Sequence, residues 1–130
     1  MPIYTTYLAY LKKFDFNPLK IFPKDLESVL IYYVMRNRGN NEVAPSRILL
    51  KQIKSGEITW EEYERVYREN MPLLMGTPWM EKRAKEALQG HHVILVCYEK
   101  DATHCHRRLL AEEIAKRFGV EYKGELSKFQ

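Results

Sequence analysis

Two thiols, two imidazoles, two carboxylates, one lysine and two arginines fall within the twelve residues from Cys97 to Arg108 (Cys-Tyr-Glu-Lys-Asp-Ala-Thr-His-Cys-His-Arg-Arg). Three chemistries fit such a set. Cys105 or Cys97 can serve as a nucleophile, with His104 or His106 as the base and Arg107 holding an anionic substrate. Alternatively, His104, His106 and Arg107 at the start of a helix form a cradle for a phosphate or nucleotide with no covalent step. Free backbone N–H groups and the helix dipole favour an anion there. A thiol at the same place loses its proton more readily. Third, Cys97, His104, Cys105 and His106 are all potential zinc donors.

Spacing prunes these options. A phosphatase loop needs a cysteine, five residues and then an arginine; counted from Cys97 that place is Thr103, and Cys105 fails in the same way. Zinc sites usually come as spaced clips, and His104-Cys105-His106 is too contiguous for all three side chains to converge on one ion without strain. No metal is therefore assigned, with zinc kept as the lesser alternative. Each residue also has a plain structural reading. Cys97 ends an apolar run and fits a core thiol. His106 fits a residue packed under a loop, and Glu99, Lys100 and Asp101 fit a solvated loop tip. Of Arg107 and Arg108, one is expected to pair with Glu112, leaving the other without an intrahelical partner.

The elements that must position these groups follow from patterning. His92-Val-Ile-Leu-Val-Cys97 is a continuous apolar run, the signature of an interior strand covered on both faces. After a loop over 98–103, a helix is expected over about 104–117, closed by Gly119, with Leu110, Ile114 and Phe118 as its apolar stripe. Arg108–Glu112, Glu112–Lys116 and Glu113–Arg117 are opposite charges four apart, expected on the solvent side. A short strand over 120–122 completes a βαβ unit, which implies a parallel sheet. Parallel sheets bind ligands outside the carboxyl ends of their strands, which is where Cys97 to Arg108 begins.

Upstream, residues 3–9 are rich in Ile, Tyr and Thr and predict a first strand. Ser28–Met35 predicts a buried strand, with a helix opening at Pro23 as the alternative. Gly39 and three asparagines predict a loop over 36–45. Ser46 caps a helix over 47–54; Thr59-Trp-Glu-Glu62 is a capping box for a helix to about Asn70. Thr77-Pro78 starts another that ends near Gly90. The fold expected is one α/β domain over 1–130, three-layered, with a mainly parallel sheet flanked by helices.

With 45% apolar, 29% charged and 12% aromatic residues, the 130-residue chain has a globular composition and excludes intrinsic disorder. No apolar run approaches ~20 residues, which excludes a membrane helix. The opening Met1-Pro-Ile-Tyr-Thr-Thr-Tyr7 lacks a basic stretch followed by an apolar one, so no secretory signal is expected. Two cysteines make no disulfide framework, and a reducing, cytoplasmic setting is expected. The net charge of +4 is mild; it is compatible with an anionic small molecule or nucleic acid as partner, with Arg36-Asn37-Arg38 and Arg107-Arg108 as the densest basic spots.

Around these residues the chain resembles the domain of unknown function 488 family. The resemblance is carried by Val93-Ile-Leu-Val-Cys-Tyr-Glu-Lys100 and Cys105-His-Arg-Arg-Leu-Leu-Ala-Glu112, by Ala44-Pro-Ser46, Gly56-Glu-Ile58 and Glu62-Tyr-Glu64 with Tyr67, and by Ile3-Tyr-Thr-Thr-Tyr7 with Leu11-Lys-Lys13. Residues 14–43 depart from the family's pattern. The resemblance implies a small intracellular α/β fold whose polar pocket holds Cys97, Glu99, Lys100, Cys105, His106 and Arg107. Tyr4 and Thr5, in the first strand, are expected to border it. The leading expectation is an anion-binding pocket for a phosphorylated, nucleotide-like or nucleic-acid ligand, with Cys105 and His106 as the reactive pair if the protein is an enzyme. The alternatives are a non-catalytic nucleic-acid-binding domain and a structural protein whose Cys-His-Arg cluster caps a helix.

Overall fold

The computed structural model describes residues 3–7, 29–35, 40–71, 76–98 and 105–126. Four strands and four helices follow in the order β1 (Ile3–Tyr7), β2 (Val29–Tyr33), α1 (Arg47–Lys54), α2 (Trp60–Asn70), α3 (Gly76–Leu88), β3 (His92–Cys97), α4 (His106–Phe118) and β4 (Tyr122–Glu125). All pairings are parallel, and the strand order is β2-β3-β1-β4. This is the α/β fold that the patterning predicts. Among the described residues the helices pack on the face of the sheet that carries Ile3, Val93 and Leu95.

β3 is the centre of the sheet's construction. Its six residues are all buried, as the unbroken apolar run requires. Pleating sends Val93, Leu95 and Cys97 to one face and Ile94 and Val96 to the other. The first face joins Ile3 and the helices in the main core, with Leu49, Tyr63, Tyr67, Met80, Ala84, Leu109, Leu110 and Ile114. The second packs with Tyr4 and Leu126. Register pairs Ile3 with Val93 and Tyr7 with Cys97, so β1 and β3 end level with each other.

α1 and α2 start where their caps predict. The Ser46 hydroxyl accepts from the Leu49 N–H at 3.0 Å, and Thr59 and Glu62 form a complete capping box. α4 ends at Gly119, whose φ of 69° is the left-handed conformation of a helix stop. α4 lies against β1, β3 and β4 and against α2 and α3. It is buried at His106, Arg107, Leu109, Leu110, Ala111, Glu113 and Ile114, a much wider buried surface than one apolar stripe.

Some boundaries differ from those expected. The segment over 29–33 is a strand, not part of a helix: its β-branched and aromatic residues pair along β3. α3 begins at Gly76, one residue before Thr77. The last strand lies over Tyr122–Glu125 rather than 120–122. Gly119 redirects the chain, Val120 is buried in the core, and pairing with β1 begins only at Tyr122. A Tyr-Lys-Gly-Glu segment has no apolar run to announce it. Glu113 is not on the solvent side: it is buried between Arg68 of α2 and Arg117. No described helix is long and apolar enough to cross a membrane.

Candidate functional site

The strand order fixes where a site can form. From β1 the chain goes to β2, on the far side of β3; from β3 it goes to β4, on the far side of β1. The two connections therefore leave adjacent strands in opposite directions, each passing over the other's strand. In open parallel sheets ligands bind outside the carboxyl ends of the strands. Cys97 and the amino end of α4 lie at that end here.

Cys105 is the N-cap residue of α4, in extended conformation, and its side chain makes no capping hydrogen bond. The thiol is thereby left to other partners. Cys105 Sγ, Cys97 Sγ and a ring nitrogen of His106 all lie within 4.8 Å of one another. Cys97 Sγ is 3.6 Å from His106 Nδ1. His106 Nε2 is 2.7 Å from the Val34 carbonyl oxygen. A carbonyl can only accept, so Nε2 carries a hydrogen and Nδ1 is the acceptor in the neutral ring; Cys97 Sγ lies beside the ring, 3.6 Å from Nδ1 and 3.9 Å from Nε2. Tyr67 meets the same imidazole edge to face, 5.7 Å between centroids, and its hydroxyl donates to the Val43 carbonyl at 2.6 Å. Burial, then the neighbouring Tyr63 and the two cysteines, raise the Tyr67 hydroxyl well above its usual value, so it stays a donor.

The two thiols are driven apart in acidity. Cys105 is lowered, chiefly by a hydrogen bond from Cys97; burial opposes this, and His106 and the Arg107 charge add to the lowering. Cys97 is raised, first by that same bond to Cys105, then by burial and by the Cys105 charge.

Arg107 is fully buried. Its Nε donates to Glu125 Oε2 at 3.1 Å and its Nη2 to Oε1 at 2.7 Å. Burial alone would lower this guanidinium; the Glu125 hydrogen bond and the negative charges around it hold it above its usual value. The Thr5 hydroxyl donates to Glu125 and is 2.6 Å from the Tyr122 hydroxyl. Arg108 pairs with Glu112 at 2.5 Å, so the intrahelical pair is Arg108's and Arg107 reaches across to β4.

The structure thus brings Cys97, Cys105 and His106 into one cluster, with Arg107 and Thr5 joined behind it through Glu125. Tyr4 lies apart, on the opposite face of the sheet with Ile94, Val96 and Leu126. Glu99, Lys100, His104 and the basic residues Arg36 and Arg38 lie outside the described residues. Arg107 is beneath the surface and cannot belong to a basic face. Contiguity does not prevent Cys105 and His106 from converging: the N-cap residue and the first helical residue both turn toward the end of β3. Their donor atoms, with Cys97, are close enough to hold one metal ion. Sequence reasoning missed Glu125 and Tyr122. Glu125 carries a signal only once β4 is extended to its true end, and the Val34 carbonyl, being backbone, carries none. A cavity of about 240 Å³, lined by Ala44, Pro45, Ser46, Leu49, Tyr67, Asn70 and Met71, shares Tyr67 with the cluster.

A family model matches residues 33–118: DUF488-N3a, described as the active DUF488-N3 subclade. The chain belongs to the DUF488-N3a family. The resemblance read from the sequence is borne out. No curated protein and no solved structure gives a match. In this DUF488-N3a chain the matched span holds Cys97, Cys105, His106 and Arg107 and stops before β4, leaving Glu125 outside it.

Proposed function

We propose that the space outside the carboxyl ends of β1 and β3 is a site for an anionic ligand, phosphorylated or nucleotide-like, and that Cys105 is its thiolate nucleophile. The carrying observation is the placement of Cys105 at the amino end of α4, within reach of Cys97 and His106. Backbone N–H groups of the first helical turn favour an anion there. Arg107 contributes its charge from below, held by Glu125, while Lys100, Glu99 and His104 are the candidates for direct ligand contact. Cys97, Cys105 and His106 are buried, and the chain reaches the surface at Tyr98, 51% exposed, one residue beyond Cys97. The family description as an active subclade favours a catalytic reading over a packing one.

A thermal-shift series with inorganic phosphate, nucleoside phosphates and short single-stranded oligonucleotides tests this reading. A ligand present at about 100 times its Kd adds roughly 2.7 kcal/mol to stability, several degrees in a domain of this size. The reading requires that at least one anion raise the melting temperature and that Cys105→Ser abolish turnover or adduct formation with it. If none of these anions binds, the reading fails. A second reading rests on the three donor atoms within 4.8 Å: Cys97, Cys105 and His106 as a zinc site. Stoichiometric zinc in the purified protein, lost in Cys97→Ser, would replace the first reading with that one.

A further inference from the structure

The nucleophile reading uses one thiol and leaves a second one unexplained. Cys97 is 4% exposed, and its sulfur lies within 4.8 Å of Cys105 Sγ. An inert core thiol would be surrounded by apolar groups. Cys97 instead has the ring nitrogens of His106 at 3.6 and 3.9 Å, and the Nε2 hydrogen bond to the Val34 carbonyl at 2.7 Å leaves Nδ1 as the acceptor of the neutral ring. One sulfur is thus placed beside a helix amino end and the other beside a base. This is the arrangement of an attacking and a resolving thiol.

We infer that Cys97 and Cys105 form a reversible intramolecular disulfide when the protein meets a hydroperoxide, with Cys105 oxidised first and Cys97 as the resolving thiol. The inference rests on the reading of Cys105 as the reactive sulfur and adds a modification that this reading does not contain. In the first step the Cys105 thiolate attacks the near oxygen of the hydroperoxide. An S–O bond forms, the O–O bond breaks, and the leaving oxygen takes a proton to depart as water or an alcohol. Cys105 becomes a sulfenic acid, oxidised by two electrons, and the hydroperoxide is reduced by two. In the second step His106 Nδ1 accepts the Cys97 proton, and the Cys97 sulfur attacks the Cys105 sulfur. The S–S bond forms as the S–O bond breaks, and hydroxide leaves with that proton as water. The sulfurs must approach by less than about 3 Å to reach a bond of about 2.05 Å. The product ties the end of β3 to the N-cap of α4 and withdraws the nucleophile. A dithiol reductant regenerates it by exchange.

The test is peptide mapping of the full chain by mass spectrometry, without reduction, after one equivalent of hydrogen peroxide. The expected result is a linked Cys97–Cys105 peptide pair two hydrogen atoms lighter than the reduced pair, with both free thiols lost and both regained on adding dithiothreitol. Cys97→Ser should halt at a Cys105 sulfenic acid that a dimedone probe captures, and should pass on to sulfinic acid with excess peroxide. A linkage between two chains, or wild-type protein that reaches Cys105 sulfinic acid as fast as Cys97→Ser, overturns the inference. The wild-type map alone decides the matter if the variant does not fold. A Cys105 sulfenic acid in the wild type without the linked pair sinks the disulfide but keeps the reactive thiol. Failure of Cys105 to oxidise at all sinks both.

Discussion

Replacing Glu125 with alanine removes the acceptor of two Arg107 hydrogen bonds while leaving the guanidinium in a fully buried place. The two contacts, 3.1 and 2.7 Å, are parallel and charge-assisted. A buried ion pair broken on one side costs about 3–5 kcal/mol, because the remaining charge is desolvated without compensation. The Thr5 hydroxyl loses one partner and keeps Tyr122, which adds about 1 kcal/mol at most. Each kcal/mol shifts the midpoint of a domain of this size by roughly 3–5 °C, so Glu125→Ala should melt roughly 10–25 °C lower, if it folds. The pair Arg107→Met with Glu125→Leu removes both charges and keeps volume; by the same principle it should lie close to wild type or above it. Urea unfolding followed by circular dichroism, on wild type, Glu125→Ala and the double variant, measures all three. A loss under about 1 kcal/mol for Glu125→Ala would mean that water reaches the arginine. A double variant as unstable as the single one would mean that packing, not charge, explains the loss.

Further expectations concern the frame around the cluster. Tyr67→Phe strands the Val43 carbonyl, to which the hydroxyl donates at 2.6 Å; it should cost about 1–2 kcal/mol in chemical denaturation with no change in oxidation at Cys105. Gly119→Ala meets no atom within 4 Å but keeps a φ of 69°, so its cost of about 1 kcal/mol is conformational. Burial alone would raise Glu113, but Arg117 and Arg68 outweigh it and hold its carboxyl below the ordinary value of 4.5. A carboxylate lowered in the folded state contributes stability that is full above its unfolded value and is lost as pH falls through the folded one. Unfolding measured from neutrality to below pH ~4 should therefore show wild type losing stability on that limb. Glu113→Gln should be less stable at neutrality and flatter, and parallel curves would refute the coupling.

The parts of this protein governed by local chemistry are readable in its sequence. β3 is announced by six consecutive apolar residues, and α1 and α2 by Ser46 and the Thr59–Glu62 capping box. The cluster's membership at Cys97, Cys105 and His106 is legible too, since a strand end and a helix start bracket it. Long-range partners are not. Arg107 looks like a surface or ligand-binding cation because the sequence shows no acid one turn away; its partner is Glu125, on a strand of four polar-looking residues. Glu113 looks solvent-facing because its helical neighbour Arg117 suggests an exposed pair; burial comes from Arg68 on α2, which no spacing rule reveals. The role of Tyr4 differs from that of Thr5 for a simpler reason. Adjacent strand residues point to opposite faces, and only one face carries α4.

The central claim is that Cys105, at the amino end of α4, is the sulfur that ionises first. The most direct measurement is the ultraviolet absorbance of thiolate against pH for wild type, Cys105→Ser and Cys97→Ala. Wild type should show one thiolate forming well below the ordinary thiol value of about 8.5, absent in Cys105→Ser and moved upward in Cys97→Ala, which removes the thiol donor. A low-pH step that survives in Cys105→Ser, or a wild type with no thiolate until the ordinary range, would contradict it.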